Sequence, residues 1–145
     1  MIKITKSSQE TRVFAKDLAL EVRGGDVILL RGDLGSGKTT FTQGFAEGLG
    51  IKNQITSPTF LIIKTYEVLR EDIKTLYHLD LYRLSSEKEI EEIGILDIFD
   101  DLEGVAIIEW GERLGNLLPM KRIDLRFKYL GEDKREISLE KVNYD

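Results

Sequence analysis

At 145 residues, with 41% hydrophobic and 32% charged side chains, the chain has the size and balance of one globular domain spanning residues 1–145. Its net charge of -5 disfavours unaided capture of nucleic acid, and the absence of cysteine excludes disulfides and thiolate metal sites. No apolar run approaches the roughly 18 residues of a membrane span, and the opening MIKITKSSQETRV lacks the apolar core of a secretory leader, so a cytoplasmic protein is the expectation.

Residues 2–5 read as a short strand, after which Ser7 or Ser8 caps a helix with Phe14, Leu18 and Val22 on one face, ended by Gly24-Gly25. DVILLRG is continuously apolar, the pattern of a strand buried on both faces. KTTFTQGFAEGLG follows as a helix stopped at Gly50. TFLIIKTYEVL and TLYHLDLYRL are β-rich runs flanking the charged REDIK, which predicts a hairpin. SSEKEIEEIG opens with serine caps and early glutamates and closes at Gly94, the pattern of a short helix. GVAIIEW is a second fully buried strand, and the tail RIDLRFKYLGEDKREISLEKV alternates about a glycine turn, predicting a hairpin with one wet face.

Between the first buried strand and its helix lies GDLGSGKTT, in which Gly32, Gly37, Lys38 and Thr39 satisfy the spacing G-x-x-x-x-G-K-[ST]. The glycines let the backbone curl so that successive N–H groups face phosphate oxygens, and the helix beginning at Lys38 adds the positive end of its dipole. Lys38 supplies a mobile charge for β- and γ-phosphates, and the Thr39 hydroxyl suits a Mg²⁺ bridging the same oxygens. A bare structural turn explains Gly35 and Gly37 but not the Lys-Thr pair behind them. A dinucleotide fingerprint would require glycine or alanine where Thr40 stands.

Hydrolysis also needs a carboxylate to organise metal and something to place water. Glu109 follows VAII, where a buried strand delivers its side chain to the sheet's carboxyl edge; Asp80 in YHLDLYRL occupies a comparable position, although a solvated strand-end acid accounts for it equally well. No asparagine is followed by lysine, so the guanine-reading N-K-x-D is absent, and Asp101 with Gly104 reads as a turn. ATP is the expected nucleotide.

GDLGSGKTT, TSPTF, HLDLYRL and IIEWGERL, in that order, resemble the bacterial TsaE (YjeE) ATPases of tRNA threonylcarbamoyladenosine synthesis, from about Ser7 to the C-terminal hairpin. The resemblance implies an α/β, P-loop NTPase-like three-layer fold whose mixed sheet has a parallel core and antiparallel additions, the C-terminal hairpin among them. It implies that Gly35, Ser36, Gly37, Lys38, Thr39 and Thr40 wrap ATP phosphates, that Thr39 and Glu109 hold Mg²⁺, and that Asp80 positions water or metal. Thr59, in the switch-like TSPTF, would sense the γ-phosphate, and Thr11 would lie near the base. The implied partners are the TsaB and TsaD subunits, with tRNA met indirectly; hydrolysis would reset the complex between turnovers. Lys38, Asp80 and Glu109 are thus the expected catalytic residues.

Two other readings share the phosphate loop: a small-molecule kinase, for which no arginine-rich lid is visible, and an assembly factor that uses ATP as a clamp. His78, the only histidine, reads either as an ordinary strand residue or as part of a switch. Trp110 reads as packing beside the site, Pro58 as stiffening its loop, and EKEIEE as a solvated face. Arg83 and Arg113 are conceivable arginine fingers in cis. The hairpin cations Lys121, Arg122, Arg126, Lys128, Lys134, Arg135 and Lys141, nearly balanced by acids, read as a solvated face, with a nucleotide lid or tRNA contact as the second option.

Overall fold

A computed structural model describes residues 1–33, 35–53, 55–56 and 62–144. Strand β1 (Ile2–Thr5) leads to helix α1 (Ser8–Glu21), then β2 (Val27–Gly32), α2 (Lys38–Gly48), β3 (Ile63–Glu67), β4 (Thr75–Asp80), α3 (Glu87–Glu92), α4 (Ile95–Asp100), β5 (Gly104–Glu109), a 3₁₀ segment (Gly111–Leu117), β6 (Arg122–Gly131) and β7 (Lys134–Val142). The strands form one sheet in the order β1-β7-β6-β2-β5-β4-β3. Strands β6, β2, β5 and β4 run parallel, while β7, β1 and β3 are antiparallel additions, as expected for the fold class.

Strand β2 sits between two parallel neighbours, and its first four residues are buried without alternation because helices cover both faces. Ile28 and Leu30 point to the layer of α1 and α2, where they meet Phe41, Phe45 and Leu18. Val27 and Leu29 point the other way, to Ile90, Ile95 and Leu114 of the second helical layer. The sheet is therefore the middle of three layers.

Helix α1 is capped by the Ser7 hydroxyl, which accepts from the Glu10 amide at 3.1 Å. Its buried residues are Thr11, Ala15, Leu18 and Ala19, and of the expected face Leu18 and Val22 are buried while Phe14 packs against the core's edge and meets Phe41 at 6.1 Å between centroids. The small residues are there because α2 comes close: a Cβ on Gly44 would stand 2.6 Å from the Arg12 carbonyl oxygen.

Three features differ from the sequence expectations. Gly94 does not simply end α3; with φ of 89° it turns the chain directly into α4, which anchors through the fully buried Ile95. A 3₁₀ segment follows β5 where no element was expected. The C-terminal hairpin is not an appendage with one wet face, because β6 is inserted beside β2 in parallel pairing. Ile123, Asp124 and Leu125 are consequently all buried, and alternation between core and solvent begins only at Arg126. The Asp101 turn is as expected: its carboxylate accepts from the Glu103 amide at 3.0 Å and from the Tyr77 hydroxyl at 2.6 Å.

Candidate nucleotide site

The site forms at the carboxyl edge of the parallel core, where β2 gives way to α2. Gly32, Gly35 and Gly37 have φ of 147°, 80° and 109°, a region L side chains rarely adopt, so the bend between strand and helix needs glycine in each place. Gly37 is the residue from which α2 starts, and no side chain caps that end. The helix therefore opens with free N–H groups and a positive dipole end, as an anion site requires. The buried Ser36 hydroxyl has no partner among the described residues, although its amide donates to the Asp33 carbonyl at 3.0 Å.

Lys38 is folded back over the loop, donating from Nζ to the Gly32 carbonyl at 2.8 Å, with the same ammonium 5.7 Å from the centre of the Trp110 ring. The cleft before it has a volume of about 800 Å³ and is lined by Gly35, Gly37, Lys38, Thr39, Thr40, Asp80, Tyr82, Glu109, Trp110 and Arg135. Most of the residues expected from sequence are thus in one cavity. Ser36 lies behind its wall. Thr11 is fully buried, its hydroxyl 2.7 Å from that of Thr5 and 3.3 Å from the Ser7 carbonyl, and it does not line the cleft. Thr59 and Pro58 lie outside the described residues. Thr56, at the start of the same segment, accepts from Lys64 Nζ at 2.6 Å.

Both carboxylates arrive by strand register. Asp80, the last residue of β4, pairs with Glu109, the last of β5, and Glu109 in turn pairs with Leu30 of β2. Asp80 Oδ1 accepts from the Tyr82 amide at 3.0 Å. Its carboxyl is nevertheless held above the usual carboxylate range, first by burial and then by the neighbouring Glu109 charge, with the Tyr82 amide, His78 and Lys38 pulling the other way. Glu109 is only 7% exposed, and its Oε2 lies 3.3 Å from Nε2 of the buried His78.

The hydroxyl of Thr39 and the carboxylates of Asp80 and Glu109 are hard oxygen donors of the kind Mg²⁺ prefers. Among the described residues no group of three or more His, Asp or Glu side chains could hold a cation unaided. That donor set fits Mg²⁺, which is normally held by one or two carboxylates together with substrate phosphates.

Arg135 corrects the sequence reading of the hairpin cations as a solvated face. It is 9% exposed, pairs with Thr5 in register, and lies against the phosphate loop, so that a Cβ on Gly37 would come within 2.5 Å of its Cδ and Nε. Nη1 donates to the Asp133 carbonyl at 3.0 Å, the guanidinium lies 5.6 Å from the Tyr129 ring centre, and Nε has no partner among the described residues. Its neighbours Lys134 and Glu136 were in view in the sequence, but only the β1–β7 pairing shows that position 135 points inward. Arg135→Ala is expected to weaken nucleotide binding by about tenfold, the loss of one charge-assisted contact, in a Trp110 fluorescence titration, with the melting curve as control. Arg83 and Arg113 do not line the cleft; Arg113 stacks 5.6 Å from both Tyr82 and Trp110 and donates to the Leu84 carbonyl at 3.0 Å. Trp110 has φ of 61°, an unusual backbone for so bulky a residue, and with Tyr82 at 5.0 Å it forms an aromatic wall of the cleft.

An amide-lined bend that leaves the central parallel strand and opens a helix places this protein in the P-loop class of nucleotide-binding proteins. Its family follows from comparison with known proteins. The family described as "Threonylcarbamoyl adenosine biosynthesis protein TsaE" matches residues 5–137. The tRNA threonylcarbamoyladenosine biosynthesis protein TsaE of Bacillus subtilis (strain 168) is 44% identical over 138 residues, covering 95% of this chain and 84% of that one. Its namesake from Treponema pallidum (strain Nichols) is 37% identical over 136 residues, covering 94% and 97%. The crystal structure of Bacillus subtilis YdiB superposes with a TM-score of 0.81 at 38% identity, over 99% of this chain and 86% of that one. The chain belongs to the TsaE family.

Proposed function

We propose that this protein is a Mg²⁺-dependent ATPase that supports turnover of the TsaB–TsaD complex in tRNA threonylcarbamoyladenosine synthesis, in the cytoplasm. The single observation that carries the reading is the convergence of Lys38, Asp80 and Glu109 on one cleft, with the two carboxylates in register at adjacent strand ends. The loop amides and Lys38 would bind the β- and γ-phosphates of ATP, and Arg135 would add a charge on the side of Gly37. Thr39 and Glu109 would hold Mg²⁺, which when bound neutralises charge on the phosphate oxygens. Asp80, whose carboxyl is poised above the ordinary range by burial, would orient the attacking water and accept its proton. No described helix is long and apolar enough to cross a membrane, in keeping with a role off the membrane. tRNA is met through the partners.

Arg83 and Arg113 stand outside the cleft, and Arg135, the arginine that lines it among the described residues, lies beside Gly37, where we assign it to phosphate binding rather than to a finger's role. A finger is worth about 10³–10⁵ in rate, so phosphate release by the protein alone is expected to be slow and to rise on addition of TsaB and TsaD. Steady-state phosphate release with and without the pair measures this directly. Fast turnover that the pair leaves unchanged would overturn the reading, as would tRNA modification that proceeds equally well with Lys38→Ala.

A further inference from the structure

Among the described residues, His78 is the titratable side chain buried beside the carboxylates to which the proposed reaction gives no part. It lies on the same face of β4 as Asp80, two residues back, and it is 2% exposed. Its Nε2 stands 3.3 Å from Glu109 Oε2, and its Nδ1 is buried without a partner among the described residues. The tautomer with its hydrogen on Nε2 therefore pairs its only donor with the carboxylate and leaves no buried N–H unsatisfied. Strand pairing fixes both ends of this contact: His78 is opposite Ile107 in β5, two residues before Glu109, while its other neighbour is Lys64 of β3. The ring cannot reach the phosphates except through Glu109, since it does not line the cleft.

We propose that His78 is a positioning residue for Glu109: its Nε2–H engages one carboxylate oxygen and so turns the other toward the cation that accompanies the nucleotide. The proposal rests on the cation-holding role of Glu109 proposed above. Partners of this kind, one bond removed from a metal ligand, fix its orientation, and their loss typically weakens metal binding by about 10–100-fold.

The test measures affinity for a non-hydrolysable ATP analogue by calorimetry, once in EDTA and once in MgCl₂; the ratio of the two affinities reports the cation alone. His78→Leu, similar in bulk but without a donor, is expected to leave the affinity in EDTA unchanged and to lower the ratio about tenfold or more. His78→Gln, whose amide nitrogen falls near the position of Nε2, is expected to restore the ratio to within about threefold of the parent, a rescue that core packing would not produce. Should His78→Leu fail to fold, His78→Asn, whose shorter amide cannot reach Glu109, takes its place with the same expected outcome. A ratio unaffected by Leu or Asn, or one that Gln lowers just as far, overturns the proposal. Glu109→Gln in parallel separates the two levels: if it too leaves the ratio unchanged, the carboxylate's own role has failed, whereas a collapse there without one in His78→Leu removes His78 alone.

Discussion

Lys38→Ala is expected to lower the proposed ATP hydrolysis by about 10²–10³ and to leave the fold intact. The ammonium donates to the Gly32 carbonyl, 2.8 Å away, so its partner there is a neutral oxygen on the rim of the bend. Exchanging that oxygen for the charged oxygens of a polyphosphate makes the contact charge-assisted, roughly twice as strong as its neutral counterpart. The gain grows further as charge spreads over the transferring group. Removing a preorganised donor of this kind costs about 10²–10³ in rate. Binding of ATP should weaken as well, whereas adenosine, which has no phosphate, should not distinguish the variant from the parent. Stability has little to lose: alanine is a better helix former than lysine in the first turn of α2, and the forfeited bond is worth about 1 kcal/mol. For a chain of this length that is a change of about 4 °C in melting temperature. Phosphate release, nucleotide titration and a thermal melt on one preparation check all three parts. Hydrolysis within tenfold of the parent would mean that the loop does not serve the γ-phosphate.

Much of this arrangement was legible in the sequence because it depends on local chemistry. The glycine bend, the lysine and the following helix are consecutive, and VAII with its terminal glutamate needs only the rule that parallel strands deliver ligands to their carboxyl edge. The Asp80–Glu109 pairing was half legible: each acid ends an apolar run, yet nothing short of the register places them side by side. Arg135 was legible only as one of seven hairpin cations, with a nucleotide lid as the second option. Its orientation depends on β7 pairing with β1 from the opposite end of the chain, and one residue of slip would have pointed it to solvent. The same kind of non-local pairing buries Asp124 where the alternation of the C-terminal hairpin predicts a wet face, since β6 lies against β2. Helix α4 was legible in principle, with Ile95, Ile98 and Phe99 spaced along one side, but Gly94 reads as a stop when it serves as a hinge.

Glu109→Gln and Asp80→Asn are both expected to suppress the proposed hydrolysis, but they part company in their response to metal. Glu109 comes from the fully buried β5 and meets His78, so its carboxylate is oriented before nucleotide arrives. Glutamine keeps the shape and forfeits the charge that a hard cation needs; the rate at limiting Mg²⁺ should fall by about 10²–10³, with part of the loss recovered as Mg²⁺ is raised. Asp80→Asn should lose about 10²–10⁴ in rate, the range for a group that receives a proton, and added Mg²⁺ should not restore it. The stability effect of Asp80 follows from the direction of its shift. Burial and the Glu109 charge raise its carboxyl in the folded state above its unfolded value. Folding therefore disfavours the ionised form: the cost is absent below the unfolded value near 3.9 and fully present once the pH exceeds the folded one. At neutral pH without metal, Asp80→Asn should accordingly melt higher than the parent, and the advantage should vanish as the solution is acidified toward pH 4. A melting temperature lowered by Asp80→Asn at pH 7 would show that the carboxylate stabilises the resting fold, and would remove the ground for treating its raised position as preparation for accepting a proton.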